Sequence, residues 1–120
     1  MRRETRAYLA DILESCDAIS AATAGMDLEA YKTNRLVRSS VEREFTIIGE
    51  AIAALGHSAP EVFASITKAR RIVDFRNQLT HEYSSISDTL VWGIVERDVL
   101  VLRAECEALA TGLDSVGGAD

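Results

Sequence analysis

Residues 34–55 read NRLVRSSVEREFTIIGEAIAAL, and this stretch predicts the central helix of the protein. Its apolar side chains recur at steps of three and four residues, which places them on one face of a helix. These side chains are Val37, Val41, Phe45, Ile48, Ile52 and Leu55. Gly49 lies mid-helix, at a cost of about 1 kcal/mol relative to alanine, so we expect another helix, or a second chain, to approach closely there. Glu50 beside it either holds a functional side chain in place or is an ordinary surface carboxylate.

Three further long helices are predicted around this one, over residues 3–24, 69–82 and 89–113. A short extra helix over residues 60–67 is expected to start at Pro60, because proline suits the first helical position. The predicted fold class is therefore all-α: an antiparallel up-and-down four-helix bundle with a short extra helix. Residues 1–113 are expected to form a single domain, and residues 114–120 a frayed C-terminal tail.

Turn signals separate these helices. Gly25 is expected to end the first helix in a left-handed conformation, and Asp27 to cap a short turn that follows. Ser87 or Asp88 can cap the last helix in the same way. Trp92, early in that helix, is expected to be a large core or interface side chain.

The composition favours one compact helical domain. The chain has 120 residues, of which 48% are hydrophobic, with one proline and few aromatic residues. Two cysteines, Cys16 and Cys106, are too few for a disulfide framework and lack metal-ligand spacing, so we expect buried reduced thiols and no metal site. No apolar run reaches the length of a membrane span, and the charged start lacks the apolar segment of a signal peptide. A cytoplasmic protein without a cofactor is expected.

The charge distribution is uneven along the chain. A net charge of −6 argues against unspecific nucleic-acid binding. Residues 32–76, however, contain eight lysines and arginines against five aspartates and glutamates. This concentration of basic side chains is either a solvated helix face or a surface that meets phosphate groups.

Residues 74–83 read DFRNQLTHEY. This stretch contains an arginine, an amide, an imidazole and a phenol, the side chains of this chain best suited to catalysis. On a helix, Asn77 and His81 share one face. Arg76 and His81 are five residues apart, which separates them by about 140° around the helix axis. Asn77 therefore either bridges Arg76 and His81, or the site closes across two chains. The alternative interpretation is that the arginine and the histidine are ordinary surface or capping groups.

One reaction that an arginine and a histidine can catalyse is the cleavage of RNA, and its chemistry favours the two-chain arrangement. Without a metal, cleavage needs one group to accept the 2′-hydroxyl proton, one to protonate the leaving oxygen, and a cation for the phosphorane. One chain offers a single histidine in this stretch, whereas a two-fold dimer offers two. The chain's other histidine, His57, lies in a predicted turn and is given no role.

The string Arg76-Asn77-x-Leu79-x-His81-x-Tyr83 resembles the R-x4-H-x-Y signature of the HepT-like branch (DUF86) of the HEPN superfamily. Residues 36–43 (LVRSSVER), residues 47–51 (IIGEA) and the pair Val91-Trp92 also resemble that branch. One departure is visible, because the family commonly has a tryptophan several residues before the motif arginine. This chain has Lys68, Arg70 and Arg71 there.

The resemblance implies a HEPN fold that pairs as a homodimer with the two motifs facing each other. It implies a metal-independent endoribonuclease in which His81 exchanges protons, Arg76 stabilises the phosphorane and Asn77 orients both, with RNA rather than DNA as substrate. The protein would be the toxin of a type VII-like HEPN/MNT toxin–antitoxin pair. Its partner would be an MNT-type nucleotidyltransferase antitoxin that transfers AMP from ATP to the motif tyrosine, here Tyr83.

Two other functions remain open. The domain can be a non-catalytic nucleotide- or RNA-binding module that uses Arg76 and Asn77 for phosphate contacts alone. It can also be a helical interaction protein that partners the nucleotidyltransferase. The presence of His81 favours the catalytic interpretation. If a homodimer forms, we expect its interface to include the helix over residues 69–82 together with Trp92 or Gly49.

Overall fold

The computed structural model describes residues 3–81 and 86–117, with side chains described through residue 112. The helices are α1 (Arg3–Ala22), α2 (Leu28–Lys32), α3 (Arg35–Ser58), α4 (Pro60–Ala64), α5 (Ala69–His81), α6 (Asp88–Arg97) and α7 (Val99–Gly117). These described residues contain no β-strand, which confirms the all-α prediction. Within the same part of the chain, no helix is both long and apolar enough to cross a membrane.

Helix α3 forms the centre of the bundle. It packs against α1 on one side and α5 on the other, and α7 packs against α1. The predicted apolar stripe of α3 is buried from Val41 to Leu55, and Val37 is half-buried. Phe45 in this stripe meets Phe75 of α5 edge to face, with 5.3 Å between ring centroids. The periodicity of residues 34–55 therefore identified the core correctly.

Local signals set most helix ends as expected. Gly25 has a φ of 75° and follows α1, a conformation that glycine adopts without a steric penalty. The Asp27 carboxylate accepts a hydrogen bond of 2.8 Å from the Ala30 N–H and caps α2. The Ser87 hydroxyl accepts one from the first turn of α6, and Pro60 begins α4. These four predictions rest on residues close together in sequence. The two caps, the left-handed Gly25 and the start at Pro60 are confirmed, whereas α1 ends at Ala22, two residues before the predicted end at residue 24.

The last predicted helix is divided at Asp98 into α6 and α7. Backbone hydrogen bonds continue on both sides, because the Asp98 N–H donates to Ile94 and the Leu102 N–H donates to Asp98. The Asp98 carboxylate is engaged by Lys68, whose Nζ lies 3.1 Å away in the turn before α5. The apolar period continues through this region, so periodicity could not indicate the break. Helix α7 then runs to Gly117, beyond the predicted end at residue 113.

Trp92 and the two cysteines belong to the core. The Trp92 ring packs on Tyr31 of α2 at a centroid distance of 5.3 Å, and both side chains are buried. Cys16 and Cys106 are fully buried, and neither forms a disulfide. Burial raises the pKa of each thiol to about 12. Both cysteines are therefore the reduced core residues that the sequence predicted.

Candidate active site

Arg76 of α5 lies directly over Gly49 of α3. A Cβ atom built at residue 49 would be 2.2 Å from Arg76 Cβ and 2.5 Å from its Cγ, far inside normal contact distance. The expected close approach at Gly49 is therefore confirmed, and the approaching helix is α5 of the same chain. The glycine allows the backbones of α3 and α5 to come together at the motif arginine.

The guanidinium of Arg76 is held by groups on both helices. Its Nη1 donates a 2.7 Å hydrogen bond to the Asn77 side-chain oxygen. Its Nη2 lies 3.6 Å from a carboxylate oxygen of Glu50, the residue after the glycine. The Nε atom is buried and has no hydrogen-bond partner among the described residues. Only 27% of the Arg76 side chain is exposed, so this cation is confined to one position at the edge of the α3–α5 contact.

Glu50 is an addition to the site that sequence reasoning left undecided. The sequence allowed either a supporting role or an ordinary surface position for this residue. Its side chain is 58% exposed, yet its carboxylate lies next to the Arg76 guanidinium. Exposed ion pairs contribute little to the free energy of folding, about 0–1 kcal/mol, so this contact adds little to stability.

His81 is the last residue of α5 and its side chain is exposed. Within the described part of the chain, no hydrogen bond or ion pair joins it to Arg76. Asn77 precedes His81 by one helical turn, and its side chain reaches Arg76. The structure therefore brings Arg76 and Asn77 together and leaves the imidazole exposed at the end of α5.

The rest of the motif extends past the described residues. Tyr83, the predicted modification site, lies among residues 82–85, outside the part of the chain that the structure describes. Thr80, which the sequence did not single out, donates from its hydroxyl to the Arg76 carbonyl at 3.0 Å. This bond ties the last turn of α5 to the residue that carries the guanidinium.

Two contacts with α6 and α7 position the beginning of α5. Thr67 donates from its N–H and its hydroxyl to the Glu105 carboxylate, at 3.0 and 2.6 Å. Lys68, next in sequence, has a φ of 62° and binds Asp98. A left-handed conformation costs a non-glycine residue about 1–2 kcal/mol, so the turn depends on these contacts. Sequence reasoning missed Glu105 and Asp98, because 38 and 30 residues separate them from their partners.

The basic segment formed by Lys68, Arg70 and Arg71 makes several contacts within the chain. The Arg70 guanidinium lies 5.5 Å from the Phe63 ring centroid, a distance at which a cation is attracted to the ring face. Lys68 binds Asp98, whereas Arg71 is exposed. This segment therefore packs against α4 and the α6–α7 break.

Gly49 and Trp92, the two residues considered for a dimer interface, are both covered by side chains of the same chain. Gly49 is covered by Arg76, and Trp92 is buried against Tyr31. Neither residue therefore points to a second chain, although α5 keeps an exposed outer face that includes Asn77 and His81. The homodimer stays a prediction. Among the described residues, no group of His, Cys, Asp and Glu side chains is placed to hold a metal ion.

The all-α bundle is consistent with a HEPN-like fold. The family model described as "Ribonuclease HepT-like" matches residues 12–109. The chain belongs to the HepT-like family.

Three relatives illustrate the similarity. The chain is 34% identical to "Putative RNase MJ1380" of Methanocaldococcus jannaschii over 106 residues, which cover 88% of this chain and 96% of the relative. It is 27% identical to "Probable ribonuclease HepT" of Thermococcus cleftensis, over 91% of this chain and 98% of that protein. It is 23% identical to "Putative RNase TTE0752" of Caldanaerobacter subterraneus subsp. tengcongensis, over 87% and 92%. No solved structure matches the chain.

Proposed function

We propose that the protein is a metal-independent endoribonuclease whose reaction is carried by Arg76, Asn77 and His81. The observation that carries this proposal is the placement of Arg76. Its guanidinium is held between Asn77 and Glu50, while the His81 imidazole stays exposed on the same helix. Membership of the HepT-like family and the ribonuclease names of its relatives support the same reaction class.

The reaction requires two proton transfers. The RNA 2′-oxygen forms a bond to the adjacent phosphorus, and the bond from phosphorus to the 5′-oxygen breaks. One group takes the proton from the 2′-hydroxyl, and another gives a proton to the leaving 5′-oxygen. Arg76 supplies the positive charge for the phosphorane between these steps. The products are a 2′,3′-cyclic phosphate and a free 5′-hydroxyl.

A homodimer supplies the second proton-transfer group in this proposal. Each chain has one histidine on α5, and its exposed position on the outer face makes it accessible to a second copy. Because side chains of the same chain cover Gly49 and Trp92, the contact between copies would use the exposed faces of α5 and of the helices next to it. One imidazole then acts as base and the other, protonated, as acid.

We further propose that the protein is the toxin of a type VII-like toxin–antitoxin pair. Its partner is an MNT-type nucleotidyltransferase that transfers AMP from ATP to Tyr83, two residues beyond His81. The adenylate phosphate would pair with Arg76 and take the place of the substrate phosphate. The support is the match of this chain to the R-x4-H-x-Y pattern and to the HepT-like family.

A second function is favoured by one observation. Arg76 and Asn77 form a hydrogen-bonded pair that does not involve His81. Such a pair can bind a phosphate group without catalysis, which is what a nucleotide- or RNA-binding module that partners a nucleotidyltransferase requires.

Cleavage assays in EDTA distinguish these functions. The wild type should cut single-stranded RNA, whereas His81→Ala and Arg76→Ala should each lose about 100-fold or more in rate. His57→Ala is a matched control, because His57 is exposed at the end of α3, far along the chain from the motif. If both motif variants stay folded and cut as fast as the wild type, the catalytic proposal is wrong. If the wild type binds RNA without cutting it, the binding module is correct.

A further inference from the structure

A groove of about 460 Å³ separates α5 from α6 and the break at Asp98. It exists because α5 packs along α3 and makes no comparable contact with α6 or α7. Its volume lies within the range of about 300–1,000 Å³ that is usual for ligand sites. Its lining includes neither Gly49 nor Glu50, Arg76 or Asn77, so it is distinct from the contact that holds Arg76.

The groove has unneutralised positive charge. Lys68, Arg71 and Arg97 line it together with two carboxylates, those of Asp74 and Asp98. Lys68 and Asp98 neutralise each other at 3.1 Å. Arg71 and Arg97 have no ion-pair partner among the described residues, which leaves two arginines against one aspartate. In a chain with a net charge of −6, this local excess attracts anions.

A glycine makes room for the Arg97 side chain at the groove. Gly93, buried in the middle of α6, leaves a space that the Arg97 guanidinium fills. A Cβ atom at residue 93 would be 2.7 Å from Arg97 Nη2 and 3.3 Å from its Cζ. An arginine thus lies over a mid-helix glycine in two places, Arg76 over Gly49 and Arg97 over Gly93.

The floor of the groove is apolar. Ile72 and Phe75 of α5 are buried there, and Ile94 and Leu90 of α6 complete it. Leu90 is 45% exposed, so its side chain is available for contact with a bound group. Such a floor offers van der Waals contact to riboses and bases, while the arginines at the rim can contact phosphates.

A second groove on the molecule has the opposite character. It lies between α1 and α3 and is lined by the carboxylates of Asp11, Glu14 and Glu44, with Arg43 as its one cation. This groove repels a polyanion, so charge favours the groove beside α5 over it.

We propose that the groove between α5 and α6 binds a single-stranded segment of the RNA substrate, with Arg71 and Arg97 on its phosphodiesters. The choice of RNA rests on the proposed function. A second copy of the chain is a less suitable occupant, because a two-fold contact places identical patches together. Arg71 and Arg97 of one copy would then face the same cations of the other.

Binding of a fully 2′-O-methylated single-stranded RNA, measured by fluorescence anisotropy, tests the proposal, because this RNA cannot be cleaved. Arg71→Ala and Arg97→Ala should each weaken binding roughly five- to tenfold. Each should also reduce the slope of log K against log salt by about 0.7. Asp74→Asn should strengthen binding. Arg43→Ala, an exposed arginine in the acidic groove, is the control and should stay within about twofold of the wild type.

Gly93→Ala is the most specific variant, because it keeps the arginine and only moves it. The added Cβ meets the far end of a flexible side chain, so the Arg97 guanidinium is displaced while the helix gains a better helix former. RNA binding should weaken as it does in Arg97→Ala, with no decrease in melting temperature. Unchanged binding in Gly93→Ala, Arg97→Ala and Arg71→Ala would overturn the proposal.

Three further outcomes distinguish this proposal from alternative explanations of the groove. Displacement of the RNA by AMP at equal phosphate concentration would overturn it in favour of a mononucleotide site. Loss of a dimer by light scattering in Arg97→Ala would overturn it in favour of an interface between copies. RNA binding that depends on Arg71 and Arg97 in a protein that cuts no RNA would support the groove and refute the endoribonuclease.

Discussion

Gly49 of α3 and Arg76 of α5 are in such close contact that residue 49 has no room for a side chain. A Cβ atom at residue 49 would be only 2.2 Å from the Cβ of Arg76. The motif arginine therefore leaves α5 pressed against the surface of α3. From there its guanidinium can only run along that surface, where Asn77 and Glu50 contact it. A single missing side chain on the central helix thus determines where the principal cation of the candidate site lies.

Gly49→Ala should destabilise the protein. Arg76 Cβ is attached to the backbone and cannot rotate away, so α3 and α5 must separate, at a typical overpacking cost of about 1–3 kcal/mol. The better helix propensity of alanine recovers only about 1 kcal/mol. Urea unfolding should show the loss. Gly93→Ala is the control, because its added methyl meets a mobile guanidinium, and a Gly49→Ala protein as stable as this control would contradict the packing argument.

Asn77→Ala should reduce the rate of RNA cleavage without unfolding the protein. The side chain is exposed, so the free energy of unfolding should change by less than about 0.5 kcal/mol. Its loss removes the 2.7 Å hydrogen bond that orients Arg76, and kcat should fall about tenfold. Steady-state kinetics measures this effect. Ser40→Ala, an exposed substitution on α3, should keep the wild-type kcat, and an equal loss there would argue against a specific role for Asn77.

Tyr83→Phe should remain toxic but escape neutralisation by modification. The substitution removes the phenol oxygen that would accept AMP, while Arg76 and His81 are retained. Growth assays with and without a co-expressed MNT-type nucleotidyltransferase measure toxicity and rescue. Mass spectrometry of the co-expressed wild type should show an AMP-sized addition on Tyr83. Rescue of growth with Tyr83 wholly unmodified would mean that the antitoxin acts by binding alone.

Alkaline pH should destabilise the fold through its two buried thiols. Burial raises the pKa of Cys16 and Cys106 to about 12, from an ordinary value of 9.0. The folded state therefore keeps its thiol protons between these values while the unfolded state releases them. Stability is fully present below pH 9 and should fall as the pH rises towards 12. Urea titrations at pH 8 and pH 10.5 measure the difference, with a Cys16→Ala/Cys106→Ala protein as the control.

The same burial predicts unreactive cysteines. A thiol-specific reagent at pH 8 should modify neither Cys16 nor Cys106 in the folded protein, because only the thiolate reacts and both groups are inaccessible. Both should react once urea unfolds the chain. Fast labelling of the native protein would show that the α1–α7 contact opens readily.

Much of the fold could be predicted from the sequence because its signals are local. The apolar residues of α3 repeat with the helical period, and the core forms from them. The capping roles of Asp27 and Ser87 depend on N–H groups three residues away. Of the predicted Asn77 bridge between Arg76 and His81, the described residues show only the hydrogen bond to the neighbouring Arg76.

What only the tertiary structure decided concerns residues far apart in the chain. The sequence by itself determined that α3 has a close approach at Gly49, that α5 carries the motif, and that both cysteines are buried. It could not determine that the approaching group is Arg76 of the same chain, or that Asp98 divides the last helix and binds Lys68. It gave no sign that Arg71 and Arg97 share a groove. A periodic pattern reports which face of a helix is buried, but the helix that covers this face, and the groove left uncovered, depend on how the whole chain packs.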